Sequence, residues 1–174
     1  MQVSRRTNRR RLALETKQAE QRVLFYDPEK CTGCRFCMIS CALEHYNQLN
    51  MKKAHLETFF DEKKRMYESV QCQHCEDPVC LNSCPEEAIE KNEATGIVTI
   101  NPMKCIGCGI CVQACPLSVP WLNEELNIAV KCDFCDGDPK CAKYCSPRAT
   151  RVIPREEAYR LNEQIYSRGR VMKK

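Results

Sequence analysis

The sequence predicts an α+β fold of short β-hairpins and short helices, set in tandem related modules with only a small hydrophobic core. Three observations predict it. Sixteen of the 174 residues are cysteine, and they fall into four quartets: Cys31, Cys34, Cys37, Cys41; Cys72, Cys75, Cys80, Cys84; Cys105, Cys108, Cys111, Cys115; Cys132, Cys135, Cys141, Cys145. Between the quartets lie short β-prone runs interrupted by polar or Gly-containing turns. Aromatic residues make up only 7% of the chain, and its 43% hydrophobic content is inflated by the cysteines, so the apolar core is thin.

Taken in order, the elements divide the chain into a basic N-terminal arm (1–22), a cysteine-bearing body (23–153), and a C-terminal helix with a basic tail (154–174). Residues 9–22 are a weak helical candidate with little apolar face beyond Leu12, Leu14 and Ala19, and the arm is expected to be disordered without a partner. The first and third quartets are compact, whereas the second and fourth carry longer loops containing Asp77-Pro78 and Gly137-Asp138-Pro139. This alternation reads as an internal duplication with halves starting near 31 and 105, and an insertion at 43–70 lengthens the first half. Hairpins are expected at 54–60 with 66–70, at 88–90 with 97–100, and at 121–122 with 128–130. Short helices are expected to start at Pro85 and Pro116, after the last cysteine of quartets two and three, because proline tolerates the first helical position. Residues 155–167 form the clearest helix: Ala158, Leu161 and Ile165 recur at helical spacing, Pro154 precedes them, and Gly169 is expected to stop the run.

The quartets carry the chemistry. Each opens with C-x2-C and closes with x3-C, and the third shows the full C-x2-C-x2-C-x3-C-P run of iron–sulfur ligation. A 4Fe-4S cube needs a thiolate at each of four corners. Three cysteines at x2 intervals wrap one face, and the fourth ligand commonly comes from a paired motif. Gly33, Gly107 and Gly109 suit a loop that wraps closely and needs positive φ. Four 4Fe-4S clusters are therefore expected, with all sixteen cysteines as iron ligands, and cluster binding should drive folding. Zinc ribbons prefer two C-x2-C pairs with a longer separation, which fits poorly here; the fourth quartet departs most from the pattern and is the most exposed to a zinc or three-iron alternative.

A disulfide scaffold is the other reading of such cysteine density. Residues 1–21 hold no apolar run of signal-peptide type, and Ser4-Arg5-Arg6 is followed by Thr7-Asn8-Arg9-Arg10-Arg11 where a twin-arginine signal would need hydrophobic residues. No stretch approaches the ~20 apolar residues of a membrane span. The expectation is a reduced, cytoplasmic protein without a membrane span. Charge is uneven: residues 1–22 carry +5 and residues 151–174 carry +4, which leaves the body near −5 within the formal net +4. Bound clusters, at about −2 each with their thiolates, would turn the whole negative.

The stretch from Asp27 to Cys37 (Asp-Pro-Glu-Lys-Cys-Thr-Gly-Cys-Arg-Phe-Cys), the stretch from Gln71 to Cys80 (Gln-Cys-Gln-His-Cys-Glu-Asp-Pro-Val-Cys) and Val130-Lys131-Cys132-Asp133-Phe134-Cys135 resemble the four-cluster ferredoxin-like electron-transfer subunits of anaerobic oxidoreductases. These include the subunits serving dimethyl sulfoxide reductase, formate hydrogenlyase, carbon monoxide dehydrogenase and tungsten aldehyde oxidoreductase. The resemblance spans about 23–154. It implies tandem bacterial-ferredoxin-like modules with nested pairing, second quartet with third and first with fourth. One cluster would then use Cys72, Cys75, Cys80 and Cys115, and its neighbour Cys105, Cys108, Cys111 and Cys84. The outer two would use Cys31, Cys34, Cys37 with Cys145, and Cys132, Cys135, Cys141 with Cys41. The sequence departs from the pattern where Ala42-Leu43 follows Cys41 and Ser146-Pro147 follows Cys145.

The expected role follows from these residues and that resemblance. The chain is not an enzyme by itself: no catalytic residue is assigned, and neither a Walker-type phosphate loop nor a dinucleotide fingerprint occurs. It relays single electrons between a large catalytic subunit and a further donor or acceptor protein. The catalytic subunit is expected to be a tungsten or molybdenum pterin enzyme, with the aldehyde oxidoreductase type preferred. The arm and the C-terminal helix would dock partners. His74 is read as structural or tuning rather than ligating, and Trp121 as a core residue. Two rival readings are a free polyferredoxin and a metal-stabilised nucleic-acid-binding or regulatory module using Arg5, Arg6 and Arg9–Arg11. Nucleic acid is disfavoured because no aromatics interleave with those arginines.

Overall fold

The structure is a computed structural model and describes residues 21–171. Residues 1–20 lie outside it, and with them nearly all of the arm and of the helix expected at 9–22. Eight strands form four antiparallel two-stranded ribbons: β1 (Arg22–Tyr26) with β8 (Thr150–Pro154), β2 (Leu56–Asp61) with β3 (Met66–Gln71), β4 (Ile89–Lys91) with β5 (Val98–Ile100), and β6 (Trp121–Asn123) with β7 (Ile128–Val130). Among the described residues five α-helices intervene or follow: α1 (Phe36–Tyr46), α2 (Val79–Asn82), α3 (Ile110–Ala114), α4 (Lys140–Lys143) and α5 (Arg155–Val171).

The three hairpins expected from the sequence are present, and one device closes them all. Asp61 Oδ1 accepts from the N–H groups of Lys63 and Lys64, Asn92 Oδ1 from those of Ala94 and Thr95, and Asn123 Oδ1 from those of Glu125 and Leu126. An Asx turn of this kind reverses the chain without needing a buried contact. Arg65, Gly96 and Asn127 then take positive φ on the return.

The β1–β8 ribbon was not expected, and it closes the molecule. Arg22 lies opposite Pro154 and Tyr26 opposite Thr150. Successive side chains of β1 point to opposite faces. Val23 and Phe25 join Ile153 and Ala158 under α5, whereas Leu24 faces the main core with Cys41, Cys72, Cys132, Cys141 and Phe134. Both faces of β1 are thus covered, which explains an unbroken apolar run. Because Arg22 begins a strand, the weak helix expected to reach it does not.

Two further expectations fail. No helix starts at Pro85 or Pro116; the short helices lie one step earlier and hold the third cysteine of each quartet, Cys37 in α1, Cys80 in α2, Cys111 in α3 and Cys141 in α4. After the fourth cysteine the chain turns sharply, because the residue three positions on takes positive φ in three quartets: Glu87 (47°), Ser118 (49°) and Arg148 (54°). A helix cannot propagate through left-handed backbone. The C-terminal helix is where it was expected, with Ala158, Leu161 and Ile165 on its packed face, but it runs through Gly169 to Val171. Glycine costs only about 1 kcal/mol inside a helix and does not forbid it.

Packing follows the quartets. Helix α1 lies against α4, and α2 against α3. The loop of the first quartet is thereby brought to the fourth, and that of the second to the third.

Candidate functional site

Every quartet shares one backbone feature: the residue before its second cysteine is left-handed, at Gly33 (69°), His74 (44°), Gly107 (70°) and Phe134 (67°). This bend reverses the chain between the first and second cysteines of each quartet. The second cysteine then sits at the rim; Cys34, Cys75 and Cys108 are exposed, and Cys135 is half-buried. All sixteen cysteines are free thiols, and Cys41, Cys72, Cys111, Cys132 and Cys141 are buried.

Backbone amides point at the sulfurs. Among the described residues, Gly33 N donates to Cys31 Sγ (3.5 Å), His55 N to Cys41 (3.2 Å), Ala88 N to Cys84 (3.3 Å), Ala129 N to Cys105 (3.3 Å), Phe134 N to Cys132 (3.4 Å) and Thr150 N to Cys145 (3.3 Å). Such donors favour thiolate over thiol and help set the potential of a bound cluster.

Crowding opposes them. Burial raises the Cys41 thiol to about 12, and charge on Cys135 and Cys37 pushes the same way. Burial raises Cys111 to about 11, with Cys105, Cys108 and Cys80 adding to it. Cys37 is raised by burial against a hydrogen bond from Thr58, with Cys145 and Cys31 pushing upward. Cys75 and Cys80 are raised by burial, and both also feel Cys72 and Cys115. Cys141 is raised by burial and then by Cys41, Cys135 and Cys37. Cys132 is raised by burial and then by Cys72. Thiols gathered this tightly do not ionise together unless a cationic centre draws them, and loading that centre releases their protons. The donor set therefore fits an iron–sulfur core.

Charge on Cys145 is felt by Cys37 of the first quartet, that on Cys41 by Cys141 of the fourth, and that on Cys115 by Cys75 and Cys80 of the second. One pocket is lined by Cys84, Cys105, Cys108 and Cys111, over Ile89, Ile100 and Ala129. A separate cavity of about 670 Å³, walled by the insertion and including Met38, His55, Leu117 and Trp121, is lined by no cysteine.

Two histidines that look scattered in the sequence converge on the fourth quartet. His45 and His55 stack at 4.2 Å, and His45 Nε2 lies 3.7 Å from Cys135 Sγ and 3.5 Å from Asp133 Oδ1. Cys41, His45 and His55 each place a ligand atom within 4.8 Å of the others. His45 follows Cys41 by one helical turn, which was a readable signal only once α1 is recognised. His55 is buried; burial and the neighbouring His45 lower its pKa to about 4. His74, 1% exposed, accepts from Val98 N at 3.0 Å through Nδ1 and contacts Phe134 edge-on, a packing position in which burial and the charges of Lys131 and Arg155 lower its pKa to about 3. Trp121 is half-buried on β6. No helix among the described residues is long and apolar enough to cross a membrane.

Comparison with known proteins agrees with this geometry. Residues 63–155 match the family described as the 4Fe-4S dicluster domain. The polyferredoxin-like subunit of an aliphatic sulfonate oxidoreductase from Pyrococcus furiosus is 35% identical over 135 residues, covering 75% of each chain. The electron transfer subunit of thiosulfate reductase from Salmonella typhi is 33% identical over 140 residues, covering 77% of this chain and 72% of that protein. A solved structure of the active site complex of benzoyl coenzyme A reductase is similar at 25% identity, 75% coverage of each chain and a TM-score of 0.44.

Proposed function

This chain belongs to the 4Fe-4S dicluster domain family of iron–sulfur electron-transfer subunits, and from that premise we propose that it carries single electrons along four 4Fe-4S clusters to or from a catalytic oxidoreductase subunit. Bound clusters supply the one-electron chemistry. The chain's own contribution is to fix their order, spacing and surroundings.

The ligand sets we propose are Cys31, Cys34, Cys37, Cys145; Cys132, Cys135, Cys141, Cys41; Cys72, Cys75, Cys80, Cys115; and Cys105, Cys108, Cys111, Cys84. The neighbourhoods of raised thiols support this grouping, and so does the packing of α1 on α4 and α2 on α3. The same neighbourhoods support a linear order. Charge on Cys37 is felt by Cys141, linking the first set to the second, that on Cys72 by Cys132, linking the second to the third, and that on Cys80 by Cys111, linking the third to the fourth. The single observation carrying the function is that cysteines of all four quartets are linked, one to the next, by electrostatic reach.

The tungsten or molybdenum pterin nature of the partner rests on the resemblance of the cysteine motifs, and the aldehyde oxidoreductase type remains our preference within it. We place the protein in the cytoplasm, in keeping with sixteen free thiols. Anaerobic purification of the complex tests the whole reading. The expected result is about sixteen irons per chain, at four per cluster, together with tungsten or molybdenum in a co-purifying large subunit. An iron content near eight would remove the four-cluster relay, and a partner free of both metals would remove the pterin assignment.

A further inference from the structure

Among the described residues, two lysine or arginine side chains are buried, and neither is paired there with a carboxylate. Lys131 is 5% exposed and Arg155 4%. The one buried acid among the described residues, Asp27, is occupied by Lys30 at 3.3 Å and Arg151 at 3.5 Å. Lys131 Nζ donates to the carbonyl oxygens of Val98 and Cys132, the latter at 2.9 Å. Arg155 donates to the carbonyl oxygens of Gln73 at 3.4 Å and His74 at 2.7 Å, while its Nε has no partner among the described residues. Carbonyls solvate a cation without neutralising it, and an uncompensated charge away from water is strongly unfavourable. A buried anion is required nearby.

The surroundings identify it. Lys131 Nζ is held between the carbonyl of Cys132, in one set, and that of Val98, which packs in one cluster with Cys80 of the adjacent set, and its charge favours both thiolates. Arg155 bonds the carbonyls of Gln73 and His74, the two residues that join Cys72 to Cys75 in the set that holds Cys80, and its charge favours the Cys75 thiolate. We propose that Lys131 and Arg155 are the buried counter-charges of the two central cluster sites, Lys131 between them acting on both and Arg155 acting on the Cys72 set alone. Their function is to hold the reduction potentials of those two sites above what the thiolate sets would give unaided. Adding an electron makes a thiolate-bound cluster more negative, and a fixed cation in a poorly screened interior favours that state. The two termini of the relay lack such a residue among the described ones, so a lysine and an arginine set a level for its middle. This inference rests on the ligand sets proposed above.

The test is an anaerobic redox titration of the holoprotein followed by electron paramagnetic resonance, with iron counted in the same samples. Lys131→Met is expected to lower two of the four midpoint potentials by about 59 mV, a tenfold change in a one-electron equilibrium. Lys131→Arg is expected to leave both near their original values. Arg155→Met is expected to lower one of the same two. Full iron with all four potentials unmoved in Lys131→Met, or an equal fall in Lys131→Met and Lys131→Arg, overturns the proposal. Where Lys131→Met loses iron, Arg155→Met decides: a single lowered potential supports the counter-charge role and four unmoved ones overturn it. A wild-type protein short of sixteen irons would instead overturn the ligand sets, so the two failures are distinguishable.

Discussion

Left-handed backbone before the second cysteine is the residue-scale device on which every site is built, and two different kinds of residue supply it. Gly33 and Gly107 do so where a side chain would meet a neighbour: a Cβ at Gly33 would stand 2.0 Å from the Tyr67 ring, and one at Gly107 would stand 2.4 Å from the Asn127 carbonyl oxygen. The tyrosine ring can swing, whereas a backbone carbonyl cannot. Gly107→Ala is therefore expected to cost about 1–3 kcal/mol from its φ alone, with the clash added, and to deplete iron at the Cys105 site. Thermal unfolding together with iron per chain checks this, and wild-type values of both would refute it. His74 and Phe134 reach the same conformation with large side chains, fixed by burial and by their 5.6 Å edge-on contact. The glycine loops were readable in the sequence because glycine advertises positive φ. His74 and Phe134 were not, since tertiary packing holds them there. His45 and His55 stayed hidden for a similar reason, as their stacking depends on an insertion folding back over α1.

At the scale of elements, local chemistry decided what could be read. The hairpins were legible because Asp61, Asn92 and Asn123 open turns between β-prone runs, and both halves of each hairpin lie close in sequence. Helices α2, α3 and α4 are only four or five residues long, too short to show a period, and proline at 85 and 116 offered a false start. The β1–β8 ribbon pairs opposite ends of the body, so no local pattern announces it. Its contribution is measurable. Phe25 is 2% exposed, packs with Val23, Ile153 and Ala158, and carries the Arg151 guanidinium over its ring at 4.6 Å. Phe25→Ala is expected to destabilise the holoprotein by about 3–5 kcal/mol, read by anaerobic denaturant unfolding. A change under about 1 kcal/mol would show that the ribbon does not hold the body closed.

For the whole molecule, the main core is partly made of the cysteines we propose as ligands: Cys41, Cys72, Cys132 and Cys141 share it with Leu24, Leu56 and Phe134. Without iron, those positions hold several polar thiols whose protons burial favours. Removing iron with a chelator under anaerobic conditions is expected to abolish cooperative unfolding and most near-ultraviolet circular dichroism, because metal binding supplies folding free energy. An iron-free protein that kept a sharp thermal transition would show that the apolar residues suffice.

The strand pairing of Arg22–Tyr26 with Thr150–Pro154 also orders events during translation. Of the described strands, β1 leaves the ribosome first and pairs only with β8, the last of them to be made. Until then its hydrogen-bonding edge and the side chains of Leu24 and Phe25 remain open to other chains, the condition under which nascent polypeptides aggregate. The Cys72–Cys115 region can assemble before Thr150–Pro154 is made, whereas β1 must wait for that segment, so a chaperone that shields β1 would have the most to protect.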